Sequence, residues 1–285
     1  MNILLTGATG FVGSNILAQL IFCCHNITIV KRINSDTSRI NQFKNKISII
    51  NDINDIKDSV KFDCVIHAAT SYEKNEYGGS EILLANINLP VNLLDFVMRS
   101  NCKKFINLST FIAQYQSDPP NKYALTKRHF EEWGAYYANY YSLSFINLVL
   151  HQVYGVGDST NKFIPWLLKQ IKSDVHSVDL TKGYQERDFI NVKDVATAVS
   201  LIVDQDADKN YENYEICTGK VTTIRKFAET IKVLANSNTK LNFGSKDYRE
   251  NEIMTLNPSS SKLKKLGWDT SMSLEHGIKQ MLDNY

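Results

Sequence analysis

Apolar side chains recur along this chain in two rhythms. Short apolar runs, several of them β-branched, occupy Asn2–Leu5, Ile27–Val30, Ile47–Ile50, Cys64–Ile66, Lys104–Leu108 and Phe145–Leu150. Between them lie stretches with helical spacing. Ile16, Leu17 and Leu20 recur within 13–21, and Leu83, Ile87, Leu93, Leu94 and Val97 share one side of a helix over 83–99. Strands alternating with helices predict βαβ units and a parallel sheet. Right-handed crossovers then give a doubly wound α/β fold. Beyond about Leu150 the alternation breaks down. Gly155, Gly157, Pro165 and Gly183 mark loops, and further helices are expected over 192–203, 223–235 and 262–266. Residues 1–150 therefore read as a dinucleotide-binding domain, with a helix at 190–205 packing back onto it. Residues 151–285 read mostly as a smaller substrate-binding cap over the C-terminal edge of the sheet. No repeat or low-complexity linker separates them, because Ser259-Ser260-Ser261 is too short.

Composition narrows the function classes. The chain has 285 residues, 43% of them hydrophobic and 22% charged, which is ordinary for a soluble globular protein. Lys+Arg total 32 against Asp+Glu 30, a net charge of +2, so bulk electrostatics do not hold it to nucleic acid or a membrane surface. No continuous apolar run approaches the ~18 residues of a membrane span. No basic segment precedes an apolar core at the start, which predicts no signal peptide and a cytoplasmic protein. The five cysteines (Cys23, Cys24, Cys64, Cys102, Cys217) show no C-x-x-C spacing, so neither a metal site nor a disulfide framework is expected. Glycine, at 13 residues, is scarce, yet Gly7, Gly10 and Gly13 all fall within the first thirteen positions.

That cluster, Gly7-Ala8-Thr9-Gly10-Phe11-Val12-Gly13, follows a strand and opens a helix. Glycines there permit a tight turn and close approach of backbone to a pyrophosphate, and the helix N-terminus offers unpaired N–H groups to the anion. An acid closing the second strand would accept from the ribose of NAD. This strand instead ends Lys31-Arg32, with no acid until Asp36. Two cations suit a 2′-phosphate, which places NADPH ahead of NADH or NAD. The alternative is that both are ordinary solvated charges.

Tyr123 and Lys127 stand four apart, behind a proposed N-cap at Asp118-Pro119. On a helix they share a face. A phenol titrates near ~10 and exchanges protons readily only with help, and an adjacent ammonium favours the phenolate. The pair is therefore a workable acid/base device.

The order of these motifs resembles the extended short-chain dehydrogenase/reductase family, whose fold is a Rossmann sheet. The spacing G-x-x-G-x-x-G, Asp52-Ile53, His67-Ala68-Ala69, Asn86 and Asn107-Leu108-Ser109-Thr110 carry the likeness in the first half. Val153-Tyr154-Gly155-Val156-Gly157-Asp158, Asn161–Pro165, Gln185-Glu186-Arg187-Asp188 and Leu266-Gly267-Trp268 carry it in the second, and point to the nucleotide-sugar branch. The resemblance implies a triad of Thr110, Tyr123 and Lys127, with Ser109 the competing hydroxyl. It implies cofactor contacts from Gly7, Thr9, Gly10, Phe11, Val12, Gly13, Lys31, Arg32, Asp52, Ile53, Ala68, Ala69 and Asn86, besides Tyr123 and Lys127. It implies a nucleotide-sugar substrate held by Thr70, Thr110, Gln152, Asn161, Lys162, Gln185, Arg187 and Arg249. His67 is read as a satisfied histidine without a catalytic role.

The resemblance also implies a homodimer through the helix before the fifth strand and the Tyr-Lys helix. Tyr136, Tyr137, Tyr140 and Tyr141 suit such an interface, or equally packing within one subunit. Dehydratases of the family carry an Asp-Glu pair after the active-site Thr. This chain has Phe111-Ile112, neither of which transfers a proton. Leu125–Phe130, Tyr137-Ala138-Asn139 and Asn251–Met254 resemble reductases of a CDP-linked 4-keto-3,6-dideoxy sugar, a step in surface-glycan precursor synthesis. The chain departs from the wider family at Val149 and Gln152. A 4-epimerase, a dTDP- or GDP-linked keto-sugar reductase, and a non-catalytic NADP(H) sensor are the alternatives.

Overall fold

Strand-to-helix turns set the architecture. The computed structural model describes residues 1–57, 60–72, 79–115, 121–206 and 210–284. The first half runs β1 (Asn2–Thr6), α1 (Phe11–Phe22), β2 (Asn26–Val30), β3 (Ile47–Ile50), β4 (Cys64–His67), α2 (Gly79–Leu83), α3 (Leu89–Ser100), β5 (Lys104–Thr110), α4 (Lys122–Tyr141) and β6 (Ser144–Leu150). A π-helical turn, Leu84–Asn88, joins α2 to α3. The second half runs β7 (Gln152–Tyr154), α5 (Phe163–Lys172), β8 (Ser177–Leu180), β9 (Glu186–Asn191), α6 (Val192–Asp204), β10 (Tyr211–Ile216), β11 (Val221–Thr223), α7 (Ile224–Leu234), β12 (Lys240–Phe243), α8 (Ser261–Lys265) and α9 (Leu274–Asp283).

The chain forms two compact units, 1–150 with 196–214, and 151–195 with 215–285. In the first, a seven-stranded sheet has the order β3-β2-β1-β4-β5-β6-β10. The pairs β1–β2, β2–β3, β1–β4, β4–β5 and β5–β6 are all parallel. β4 and β5 are buried at every position, as strands covered on both faces must be. The order reverses between β1 and β4, and a crevice for ligands opens at such a switch point, beyond the C-terminal ends of the strands. Phe105, Phe130, Phe145, Leu93, Leu94 and Val97 form the core beneath α3 and α4. A Cβ at Gly134 would stand 2.1 Å from the Phe145 ring, so α4 lies directly on β6.

Among the described residues, the helical run 79–100 alone is long and apolar enough by composition to cross a membrane. Its Leu93, Leu94 and Val97 are spent in this core.

The second unit holds a three-stranded sheet, β11-β9-β7, and a pair, β12-β8. Its core joins Tyr154, Leu167, Leu168, Phe189, Phe227 and Ile278. Two expectations are corrected. Pro165 does not mark a loop: it sits in the first turn of α5, where no intrahelical N–H is required. The N-cap of α4 is Asn121, whose side chain accepts from the N–H of Tyr123 at 2.9 Å and of Ala124 at 3.2 Å. Asp118-Pro119 lies outside the described residues.

Candidate active site

The glycine loop turns at the C-terminal end of β1. Gly7 has φ +73°, and a Cβ on it would meet Ala69 N at 2.4 Å. A Cβ on Gly13 would stand 2.1 Å from Gly7 O. Gly10 N donates to Gly7 O at 3.0 Å and closes the turn. Gly10 caps α1 without a side-chain hydrogen bond, and no acid lies in the first turn. The amides of Phe11, Val12 and Gly13 therefore face outward in a positive field, with Thr9 and Val12 half-buried beside them. This cradle fits a dinucleotide pyrophosphate in both charge and clearance.

Around it, Ala68 N and Ala69 N approach Thr6, at 3.3 Å to its carbonyl and 3.4 Å to its hydroxyl. His67 is fully buried, with Nδ1 2.9 Å from Thr6 Oγ1. Burial, with Lys127 adding, pushes its pKa well down, so the ring is neutral. Lys31 and Arg32 follow β2 directly. Lys31 Nζ donates to the carbonyls of Arg32 and Ile33 at 3.2 and 3.3 Å, while Arg32 is exposed and meets no carboxylate among the described residues. Asp52 accepts from Asn54 N at 2.9 Å and Nδ2 at 3.0 Å, and Ile53 is half-buried against the core.

β5 delivers two hydroxyls to opposite faces, as successive strand residues must. Ser109 is buried and donates to Glu131 Oε1. Thr110 hydrogen-bonds the Tyr123 side chain, as do Thr70 and Tyr72. Thr110 rather than Ser109 is thus the hydroxyl gathered with the tyrosine. The rings of Tyr72 and Tyr123 are 4.8 Å apart. Burial pushes the Tyr123 phenol well above its ordinary value, and Tyr72 beside it adds to the rise. Lys127 is buried, and its Nζ donates to Leu108 O at 2.9 Å. Burial pulls its pKa down to about 8, against an opposing push from Glu131. Burial, with Tyr72 adding, sets the direction of the Tyr123 shift.

Asn86 sits on the π-helical turn and is buried. Its Oδ1 accepts from Ser71 N at 2.8 Å and Thr70 Oγ1 at 3.2 Å, and its Nδ2 donates to Ser71 O and Thr126 Oγ1, each at 3.0 Å. The amide's bonding capacity is filled within the protein. Asn86 therefore fastens the Thr70–Ser71 loop to α4, and with it the Thr70 hydroxyl beside Tyr123. Tyr72 is a contact that sequence reasoning missed, because no fixed spacing links it to Tyr123.

The proposed sugar-nucleotide residues lie in the second unit, Thr70 and Thr110 apart. Gln152 is half-buried on β7, and Asn161 is exposed. Lys162 pairs with Asp158 at 2.8 Å. Gln185 is buried and donates to Thr181 Oγ1 at 3.2 Å. Arg187, on β9, donates to Ile253 O at 2.8 Å and pairs with Glu252. Arg249 is exposed in the same 249–253 segment, its carbonyl accepting from Glu252 N at 3.2 Å. Arg187 is thereby tied to the loop that carries Arg249. The buried Asp188 accepts from Thr218 N at 2.9 Å and Lys220 N at 3.1 Å, fixing the turn between β10 and β11.

His151, Glu215 and Cys217 bring their ligand-type atoms within 4.8 Å of one another. Internal contacts account for them. His151 Nε2 is 2.9 Å from Glu215, which also accepts from Ser259 N at 3.3 Å, and burial pushes the Cys217 thiol up to about 12.

Compared with known proteins, the model of the NAD dependent epimerase/dehydratase family matches residues 3–217. The chain belongs to that family. This epimerase/dehydratase-family enzyme is 34% identical over 284 residues to a CDP-abequose synthase of Salmonella muenchen, covering 98% of this chain and 96% of that protein. It is 30% identical over 293 residues to the CDP-abequose synthase of Salmonella typhimurium, covering 98% and 97% respectively. A solved UDP-glucuronic acid 4-epimerase from Bacillus cereus, in complex with UDP-glucuronic acid and NAD, shares the fold. Its TM-score is 0.85 at 20% identity, over 100% of this chain and 98% of that one. The family is thus one of NAD(P)-dependent enzymes, in agreement with the glycine cradle of this chain.

Proposed function

We propose that the chain is an NADPH-dependent reductase acting on the 4-keto group of a nucleotide-linked 6-deoxy or 3,6-dideoxy sugar, the CDP-linked sugar first. The observation that carries this reading is the Tyr123 hydroxyl, gathered with the Thr110 and Thr70 hydroxyls. A reductase needs a proton donor at the start of its turnover. The two CDP-abequose synthase relatives support a CDP-linked substrate. Phe111 and Ile112 after Thr110 leave no acid or base for dehydration, and Phe111 is buried.

In this reading the nicotinamide, when bound, supplies the hydride. The Phe11–Gly13 amides hold its pyrophosphate, and Ala68 and Ala69 leave room for the cofactor beside β1 and β4. Lys31 and Arg32 bind a 2′-phosphate. Tyr123 Oη gives its proton to the oxygen of the reduced carbonyl, and the Thr110 hydroxyl hydrogen-bonds that same oxygen as charge develops. Lys127 contributes positive field and orients the ribose. Gln185, Arg187 and Arg249 bind the diphosphate and nucleotide, for which guanidinium forks are suited. Arg187 exchanges its Glu252 partner for the diphosphate when substrate enters.

A second reading, an NDP-sugar 4-epimerase with retained NAD, is favoured by the Bacillus cereus structure with NAD. One experiment separates the two. Loss of NADPH absorbance is followed with CDP-, dTDP- and GDP-linked 4-keto-6-deoxy sugars. Stoichiometric consumption supports the reductase, whereas protein purified with bound NAD that interconverts C4 epimers without consuming cofactor contradicts it.

The aromatic face of α4 supports a homodimer. Tyr137 packs inward, its hydroxyl donating to Asp95 Oδ1 at 2.5 Å. Trp133, Tyr136, Tyr140 and Tyr141 remain 44%, 45%, 73% and 53% exposed. An outward aromatic cluster of that size suits a second copy of the same helix.

A further inference from the structure

Ser109 and Glu131 take no part in the proton transfer proposed above, yet they form a built polar site directly behind it. Glu131 stands one turn beyond Lys127 on α4, where i and i+4 side chains share a face. The Ser109 hydroxyl, from β5, donates to its Oε1, and the Asn147 side chain, from β6, also hydrogen-bonds the carboxylate. Asn147 is held in turn, accepting from Asn107 at 2.8 Å and donating to Asn213 at 3.1 Å. The carboxylate is therefore fixed by two strands while Lys127 Nζ is fixed by Leu108 O.

We propose that Glu131 is a positioning residue that keeps Lys127 in its ammonium form at the Leu108 carbonyl, with Ser109 and Asn147 as the clamp. This rests on the reading of Tyr123 and Lys127 as the proton-handling pair. The physical need is plain. A buried lone ammonium loses its proton readily, and a fixed carboxylate one turn away opposes that loss. Burial has already drawn Lys127 down to about 8, with Glu131 the opposing influence. Burial pushes Glu131 up, while its hydrogen bonds to Ser109 and Asn147 and the charges of Lys127 and Arg128 pull it back. Two of the remaining ionisable neighbours, His67 and Tyr211, are uncharged in this range. His67, from β4, is held neutral by burial, and Tyr211, from β10, is pushed up to about 12 by burial with Glu131 adding. Arg128 is itself pinned to the Ala113 and Tyr115 carbonyls, each at 2.9 Å.

The test is a titration of the lysine itself, with ε-13C-lysine labelling of the full chain and the Lys127 signal assigned through Lys127→Arg. Glu131→Gln keeps the acceptor for Ser109 and removes the charge. The Lys127 midpoint should fall by about one unit, and the alkaline arm of the rate profile should move with it. Ser109→Ala should shift the midpoint the same way by less, and it decides the matter if Glu131→Gln fails to fold. A midpoint unchanged from wild type in the folded variant overturns the proposal and leaves Glu131 a packing residue. Because the titration needs no turnover, a shifted lysine without NADPH consumption refutes the reductase reading while the role of Glu131 stands.

Discussion

Gly13 is where the cofactor cradle is least forgiving. A methyl there would press on Gly7 O at 2.1 Å, a backbone atom that cannot turn aside. Gly13→Ala should weaken dinucleotide binding about tenfold or more, read by fluorescence titration, with melting temperature as the control for folding. Tyr123→Phe makes the complementary case. It keeps the ring beside Tyr72 and removes only the hydroxyl, so turnover should fall about 10²- to 10⁴-fold while NADPH affinity stays put. Unchanged turnover would remove Tyr123 from the acid role. The pH dependence follows from Lys127, whose pKa lies below the ordinary lysine range, at about 8. The ammonium is present below that value and lost above it, so reduction should decline as pH rises through about 8, measured on kcat/KM. The glycines and the Tyr-Lys pair were legible in the sequence because their spacing is their chemistry. The choice between Ser109 and Thr110 was not, since strand alternation says only that they face apart. The state of the phenol was not legible either, because burial and Tyr72 set it.

Among the elements, α4 shows how local signals place a site. Asn121 caps it, and capping by its carboxamide positions the amide of Tyr123 itself. Asn121→Ala should cost about 1 kcal/mol of stability in denaturant unfolding, with a loss of turnover following from fraying of the first turn. The expected strands of the first sheet lie where their apolar runs predicted, β1 to β6, because such short runs cannot be buried otherwise. β10 was missed: Tyr-Glu-Asn-Tyr-Glu-Ile is half-polar, and its tyrosines are only partly buried at the sheet edge. α5 was missed because Pro165 reads as a breaker unless the helix start is known. β7, β8, β11 and β12 are three or four residues long, too short for a period to declare itself. At the end of β2, Lys31→Ala with Arg32→Ala should reduce the preference for NADPH over NADH about tenfold or more, by KM ratio.

For the molecule as a whole, a net charge of +2 conceals local cations to which the proposed function gives phosphates, Lys31 and Arg32 in one unit and Arg187 and Arg249 in the other. The exposed α4 aromatics lead to a further expectation: Tyr140→Glu should shift the mass in solution from dimer to monomer by light scattering, whereas an unchanged mass would dissociate this face from assembly. The central claim concerns chemistry and is tested most directly by chemistry. Purified protein is mixed with NADPH and a CDP-linked 4-keto-3,6-dideoxyhexose, and absorbance of the reduced nicotinamide is followed alongside the product. The account predicts one NADPH oxidised per sugar reduced at C4. It is contradicted if NADPH binds and no sugar in the CDP-, dTDP- and GDP-linked set consumes it.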